Sequence, residues 1–410
     1  MPSHTLEKRT TTQCGETRHV RHLGIHRRQR AHPFGRLDAL NLEQLIVMAA
    51  TEAIEDAGVD PAEIDAVFLG NFNAGLVPDA FAASLILQAS PALRFKPAVR
   101  CENACASGAA AIHAGLRALQ AGAARTVLVV GAEKMTSRST PEVTAALAGA
   151  GYKNDPEEAA LSFPQCFALA AREYTARYED PLPAMAAIAA KNHGNAMHNP
   201  LAQMHRAVDV AFCNTVSDKN PLIAPPLRLT DCSLITDGAA AIVMTRSDAA
   251  TRFPRAVTLR AAEHVSDFLP LAGRDLLAFE GPARALRQAY AAAGIHVNDL
   301  DFAEVHDCFT IAELLIYEAM GLAPAGRGRQ ALDDGIVLRD GRLPVNLSGG
   351  LKAKGHPVGA TGVSMHALAY RQLTGQAGDM QRKDASLGLV FNMGGAAVAS
   401  YASVLEAARA

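Results

Sequence analysis

Four short stretches of this 410-residue chain carry residues able to do covalent chemistry. In residues 99–119, Cys105 stands between a short apolar run (97–101) and a segment built almost wholly of Ala, Gly and Ser. The pattern reads as a strand end, a turn and the first turn of a helix. Unpaired N–H groups at a helix start favour an anion, so this reading makes thiolate the stabilised form and Cys105 a candidate nucleophile. In Lys354-Gly-His-Pro-Val-Gly-Ala-Thr-Gly, Gly355 and Pro357 fix a loop around His356, and Gly359 and Gly362 allow a tight turn into the next helix. A held imidazole is the base that a thiol nucleophile needs. In Glu304-Val-His-Asp-Cys-Phe-Thr a second thiol, Cys308, has His306 two residues before it. In Asn392-Met-Gly-Gly-Ala the glycine N–H groups can line an oxyanion pocket.

Each residue alone also fits a structural role. A free cysteine is among the most buried residue types, a loop histidine is commonly only hydrogen-bonded, and paired glycines serve close packing. Asp231 and Cys232 are read as structural. The combination points to chemistry: two thiols and two histidines fall at strand–helix junctions, which meet at the carboxyl ends of the strands in an open α/β sheet.

The elements that must position them are read from periodicity. Residues 40–57 show a helical apolar face, and Gly58 stops it. Strands are expected at 64–69, 97–101, 126–130, 239–245 and 301–305. Helices are expected at 79–90, behind Cys105, at 167–177 and at 311–320. The alternation predicts α/β architecture with a largely parallel sheet. The same alternation calls for a first strand at 19–25, although that stretch is unusually polar. Residues 137–227 break the pattern with frequent Pro, Asn, Met and His, and 191–195 and 199–203 read as ordered loops. The halves repeat. Gly58 and Asp65 fall on Gly294 and Asp301, and the Gly238 run falls on the Gly394 run. The first copy is longer by about 80 residues, close to the irregular stretch. The expected organisation is a loose tail (1–18), a first half (19–136 plus 228–250), an inserted loop domain covering the substrate (137–227) and a second half (251–410).

Composition narrows the class. A net charge of −2 lacks the basic face of a nucleic-acid binder, and 49 % hydrophobic residues describe a densely packed chain. No window is apolar for long enough to span a membrane, the tail lacks the apolar core of a secretory signal, and the final Ala-Arg-Ala is not a peroxisomal address. Seven cysteines without a CxxC pair fit reduced thiols in a cytoplasmic setting, and no metal site is expected.

With these motifs assembled, the chain from about residue 32 onward resembles the thiolase family, and most closely its sterol carrier protein 2-like branch. Asn103-Ala-Cys-Ala-Ser-Gly is similar to the family's nucleophile loop and residues 354–362 to its Gly-His-Pro loop. His306-Asp-Cys-Phe is the branch's form of the third loop. The fourth loop departs: Asn392-Met-Gly stands where larger thiolase groups carry Cys-x-Gly, and in the branch the His-Asp-Cys-Phe cysteine, here Cys308, is thought to supply the missing thiol. The resemblance implies duplicated βαβαβαββ halves in a five-layer αβαβα sandwich. It implies acyl transfer between coenzyme A thioesters through an acyl-cysteine intermediate, in the condensing or the thiolytic direction. Cys105 is then the nucleophile, His356 its base and Cys308 the acid/base at C2. His306 holds the enolate oxygen with His356, and the N–H groups of Cys105 and Gly394 form the oxyanion hole. No tightly bound cofactor is implied. A homodimer or tetramer, a role in lipid metabolism such as fatty-acid β-oxidation, and a small OB-fold partner are further expectations. Competing readings are a ketoacyl synthase using acyl carrier protein, which has no second thiol; a thiolase-like subunit working with a partner; and a non-enzymatic lipid- or CoA-binding module.

Overall fold

The computed structural model describes residues 23–24, 34–246, 253 and 255–408. The expected tail, residues 1–18, lies outside them. The strands are β1 (Leu23–Gly24), which is all that is described of the expected 19–25 strand, β2 (Ala66–Gly70), β3 (Ala98–Cys101), β4 (Thr126–Glu133), β5 (Leu222–Ala224), β6 (Leu227–Arg228), β7 (Gly238–Thr245), β8 (Val257–Ser266), β9 (Phe302–Val305), β10 (Leu387–Gly394) and β11 (Ala399–Ala407). The helices that position the site are α1 (Leu42–Ala57), α2 (Ser107–Gln120), α3 (Thr140–Ala148), α4 (Phe163–Arg177), α5 (Leu182–Ala196), α6 (Glu280–Ala293), α7 (Thr310–Ala319) and α8 (Thr361–Leu373).

Among the described residues, nine strands share one hydrogen-bonded order, β3-β2-β4-β7-β1-β8-β11-β10-β9, which reads alike outward from the β1–β8 pair. In the first half β2 runs parallel to β4, and β4 antiparallel to β7. In the second half β9 runs parallel to β10, and β10 antiparallel to β11. An isolated parallel bridge from Ala303 to Val345 takes the place that β3 holds in the first half.

The repeat extends to single hydrogen bonds. Gly58 and Gly294 both cap their helices in the left-handed conformation, at φ 62° and 63°. Asp65 then accepts from the amides of Arg125 and Thr126 at 2.7 and 3.1 Å, and Asp301 accepts from those of Ser386 and Leu387 at 2.7 and 2.9 Å. Each carboxylate ties its strand to the start of the neighbouring one. The match of Gly238 to Gly394 is corrected: Gly238 opens β7, whereas Gly394 ends β10, and the strand that sheet order makes equivalent to β7 is β11. A Gly-Ala-Ala run at opposite ends of two different strands produced a false register.

Alternating side chains bury both faces of the first-half sheet. Leu128 and Val130 pack with Leu42, Ile46 and Ile54 of α1, while Val127 and Val129 pack with Ile112 and Leu116 of α2. α6 covers β8 and β11, and α8 lies against α2, β7 and β10. The order is thus helix, sheet, paired helices, sheet, helix. Small residues permit the central layer. A Cβ on Gly108 would lie 2.8 Å from the Gly359 carbonyl oxygen, and one on Gly362 would lie 2.4 Å from the Ala109 nitrogen.

The expectation of a largely parallel sheet is corrected: β2–β3, β2–β4 and β9–β10 are parallel, but the five other pairings of the order are antiparallel, because β7, β1, β8 and β11 run against their neighbours in the middle of the order. Two other expectations are corrected. Residues 191–195 are the last turns of α5, because Leu182 to Ala196 is unbroken by proline after its start. The helix expected at 79–90 is a 3₁₀ segment, Ala82–Ala89.

Gly362→Ala should destabilise the protein by about 1–3 kcal/mol or more, because backbone atoms cannot retreat. Gly194→Ala, whose Cβ meets nothing within 4 Å, should be neutral or stabilising. Denaturant midpoints of the two variants test this, and equal midpoints would remove helix approach as the reason for glycine.

Candidate active site

β3, β4, β9 and β10 deliver their ends to one place. Cys105 comes after β3, but α2 begins only at Ser107, so the sulfur precedes the helix instead of sitting in its first turn. Ala104 before it holds φ 49°, a left-handed conformation that costs a non-glycine residue free energy and persists where the surroundings over-determine it. The surroundings here are specific. The Asn103 amide donates to Ser107 Oγ at 3.0 Å, and Asn103 Nδ2 donates to the Tyr401 hydroxyl at 2.5 Å. A Cβ on Gly394 would strike the Asn103 carbonyl oxygen, so only glycine lets the end of β10 touch this loop.

The expectation of a resting thiolate is overturned. Burial, aided by Glu133, pushes the Cys105 thiol up to about 12, against the pull of its own N–H and that of Gly395. The thiol is the resting form, and a base must take its proton. The amide aimed at the sulfur belongs to Gly395, one residue beyond the Gly394 named from sequence. Asn392–Gly394 are the last residues of β10, not a loop between strands.

His356 and His306 complete a tripod with Cys105. One ring nitrogen of each and the sulfur all lie within 4.8 Å of one another. The rings stand edge to face, centroids 5.2 Å apart. Burial lowers both imidazoles, His356 to about 3 and His306 well below its ordinary value, with Lys354 adding to the shift in each and each neutral as a result. His356 Nδ1 lies 2.7 Å from Thr361 Oγ1, whose own proton goes to the Pro357 carbonyl at 3.0 Å. Thr361 must therefore accept from Nδ1–H, which leaves Nε2 of His356 as a lone pair. That nitrogen is buried without a protein partner, as is Nε2 of His306. A buried, unpartnered acceptor beside a thiol is what proton removal requires.

Cys308 is buried at the start of α7. Burial first, then the nearby Cys105 and Asp307, push its thiol well above the ordinary range. Its loop is held from beneath. Asp307 accepts from the Leu351 and Lys352 amides and, at 2.7 Å, from Asn192 Nδ2. Asn192 also donates to Glu313 at 2.6 Å, and Lys191 pairs with Glu313 at 2.9 Å. Asp231 and Cys232 are structural as expected: Asp231 pairs with buried Arg228 at 2.7 Å and accepts from Thr310.

Several supporting residues went unread in the sequence. Glu133, at the end of β4, accepts from the amides of Phe72, Asn73 and Gly359 and from Asn71 Nδ2, all within 3.1 Å. It ties the Gly-His-Pro loop to the first half, and burial pushes its carboxyl up to about 7. A charged residue closing an apolar strand was the available signal. Asn192, Lys191 and Thr361 carried none, because their partners are remote in sequence or lie one helical turn away. The inserted region contributes Val143, Leu147 and Ala150 to an apolar wall that includes Cys105, Phe72, Met135 and Val358.

A duplicated α/β fold that buries a thiol between two neutral imidazoles and backbone N–H groups defines an enzyme of covalent acyl transfer. The comparisons narrow the class. Family models for the thiolase N-terminal domain and the thiolase C-terminal domain-like region match residues 27–223 and 264–407. An acetyl-CoA acetyltransferase of Methanothermobacter thermautotrophicus is 37 % identical over 364 residues, covering 88 % of this chain and 94 % of that protein. Sterol carrier protein 2 of Homo sapiens is 30 % identical over 366 residues, covering 84 % of this chain and 64 % of that longer protein. Two solved structures share the fold. The Ltp2-ChsH2(DUF35) aldolase has a TM-score of 0.78 at 22 % identity, covering 96 % of this chain and 99 % of that one. Human mitochondrial 3-ketoacyl-CoA thiolase in complex with CoA has a TM-score of 0.71 at 17 % identity, covering 96 % and 99 %. This chain belongs to the thiolase family, and its activity is thiolase-type acyl transfer.

Thr361→Val keeps the shape beside His356 but leaves Nδ1–H without an acceptor. Loading of the acyl group onto the enzyme should slow by about 10- to 100-fold, the kinetic equivalent of one buried donor orphaned. Rapid-quench measurement of loading checks this; an unchanged rate would show that the threonine does not hold the base.

Proposed function

We propose that the protein is an acetyl-CoA C-acyltransferase of the acetyl-CoA acetyltransferase kind, with Cys105, His356, Cys308 and His306 as its catalytic residues. The observation that carries this is a tripod of the Cys105 sulfur and one ring nitrogen from each of His306 and His356 within 4.8 Å of one another, in two rings whose Nε2 is buried without a protein partner. The 37 % identity to an acetyl-CoA acetyltransferase supports the substrate. Valine, leucine and alanine from the inserted region against Cys105 suit a short acyl group, and the same region is the surface offered to the pantetheine arm of CoA. Coenzyme A enters as a substrate thioester and not as a resident group.

In the condensing direction, His356 Nε2 takes the proton of Cys105, and the thiolate adds to the thioester carbon of the first acetyl-CoA. The N–H groups of Cys105 and of the Gly394–Gly395 turn bind the oxyanion. The C–S bond to CoA breaks, the departing CoA thiolate takes the proton of Cys308, and the acyl group rests on Cys105. Cys308, now a thiolate, removes a proton from C2 of the second acetyl-CoA. His306 and protonated His356 donate to the enolate oxygen. C2 attacks the acyl carbon, Cys105 leaves as thiolate, and His356 returns the proton. An unactivated thioester C2–H is a weak acid, so the base works only with the enolate charge held.

A second reading, a subunit that works with a small partner protein, rests on the likeness to the Ltp2-ChsH2(DUF35) aldolase. The edge strand β3 and the exposed apolar side chains of Val99, Phe81 and Phe95 support a homodimer. The six described cysteines are unpaired, which supports a reducing, cytoplasmic setting.

Purified protein given acetoacetyl-CoA and CoA should yield acetyl-CoA, and mass spectrometry should find the acyl group on the Cys105 peptide. Label on another peptide would remove Cys105 as nucleophile. Cys308→Ala should still take the acyl group yet lose C2-proton exchange by about 10²–10⁴-fold, the usual worth of a positioned acid/base. Normal exchange would assign the base elsewhere.

A further inference from the structure

One residue in the site has no role in that scheme, and it stands where the sequence departs from the larger thiolase groups. Asn392 Nδ2 lies 2.8 Å from His306 Nδ1 and 3.4 Å from the Cys105 carbonyl oxygen. The carbonyl, which can only accept, sets the amide orientation. Turned over, the side-chain oxygen would face a carbonyl oxygen, and the nitrogen would lose both partners. The nitrogen therefore sits there and donates one hydrogen to each. His306 Nδ1 must then accept, and the ring's single proton sits on Nε2. That nitrogen is buried and unpartnered, in a ring that has one nitrogen within 4.8 Å of the Cys105 sulfur. His356 is the mirror case, since Thr361 fixes its proton on Nδ1.

We propose that Asn392 is a positioning residue that sets the tautomer of His306, so that the two histidines facing Cys105 play opposite parts. His306 presents a fixed Nε2–H to the substrate oxygen, and His356 presents a lone pair to the thiol. The division rests on the acyl-transfer function proposed for this site, and it explains how two chemically identical, neutral side chains avoid competing for one proton. The donated hydrogen also polarises the ring and makes Nε2–H a stronger donor. The charged and titratable groups around His306 are His356 and Lys354, which act on its ring, and the Cys105 thiol, which in turn is coupled to Cys308 and Glu133. The Asp307 carboxylate is turned away toward the Leu351 and Lys352 amides. Among the described residues no carboxylate touches the ring, so nothing in the native site competes with Asn392 for control of Nδ1.

The test has two arms. Proton–nitrogen correlation spectra of the intact protein, with histidine rings labelled and the signal assigned by His306→Gln, should show His306 protonated at Nε2 and bare at Nδ1. The opposite pattern overturns the proposal, and this arm needs no activity. In Asn392→Asp the new carboxylate accepts from Nδ1–H, so Nε2 loses its proton above the ring's raised pKa and regains it as imidazolium below. C2-proton exchange should therefore fall about 10²-fold near pH 8, the scale of one lost oxyanion donor, and recover as pH drops, while loading of Cys105 stays within a few-fold. A parallel loss of loading and exchange, independent of pH, would make Asn392 merely structural and sink the idea. Asn392→Leu, which keeps the volume and donates nothing, should lose exchange with no recovery at low pH. Wild-type protein that neither loads nor exchanges would fail the acyl-transfer function instead, and the ring spectra would still decide the tautomer.

Discussion

Backbone-to-backbone contact between α2 and α8 is the constraint on which the rest depends. The helices come from opposite halves of the chain and meet where Gly108 faces Gly359 and Gly362. Any side chain there would force them apart and separate Cys105, at the approach to α2, from His356, at the approach to α8. The same contact leaves His306 and His356 buried and Cys105 part-buried. A side chain on Gly131 would lie 2.6 Å from the Gly359 carbonyl oxygen, so β4 joins the contact as well. Packing at this density transmits position with little play, which is what a nucleophile and base need.

That burial decides the electrostatics. A helix start beside a cysteine argues for a thiolate, and the structure reverses the conclusion. Desolvation outweighs the two N–H groups at the sulfur and leaves thiol and imidazoles neutral at rest. Charge then arises only as the reaction proceeds, next to donors already in place. A hydroxyl and an amide, Thr361 and Asn392, direct the protons of two otherwise identical rings. Buried carboxylates do their work one layer out: Glu133 holds the Gly-His-Pro loop, and Asp307 and Glu313 anchor the loop of His306 and Cys308 to α5.

The duplication was legible because it is written in local chemistry. A left-handed glycine ends a helix, and an aspartate a few residues later catches the amides that begin the next strand. Both copies need those residue types at that spacing. The Gly238–Gly394 match failed because a Gly-Ala-Ala run looks alike whichever end of a strand it marks. Residues 191–195 were misread as a loop because polar residues dominate the last turns of α5, and they are polar for a tertiary reason. Lys191 and Asn192 reach Glu313 and Asp307, more than a hundred positions away.

By itself the sequence determined the α/β class and the duplication, and it singled out the candidate reactive groups, Cys105, His306, Cys308 and His356, because each depends on neighbours within a few residues. Only the tertiary structure decided the protonation state of Cys105, the tautomers of the two histidines and the use of Asn392. Those depend on how much water remains at one point and on which donor faces which nitrogen, and both are settled by chain segments that meet only when the two halves close on each other.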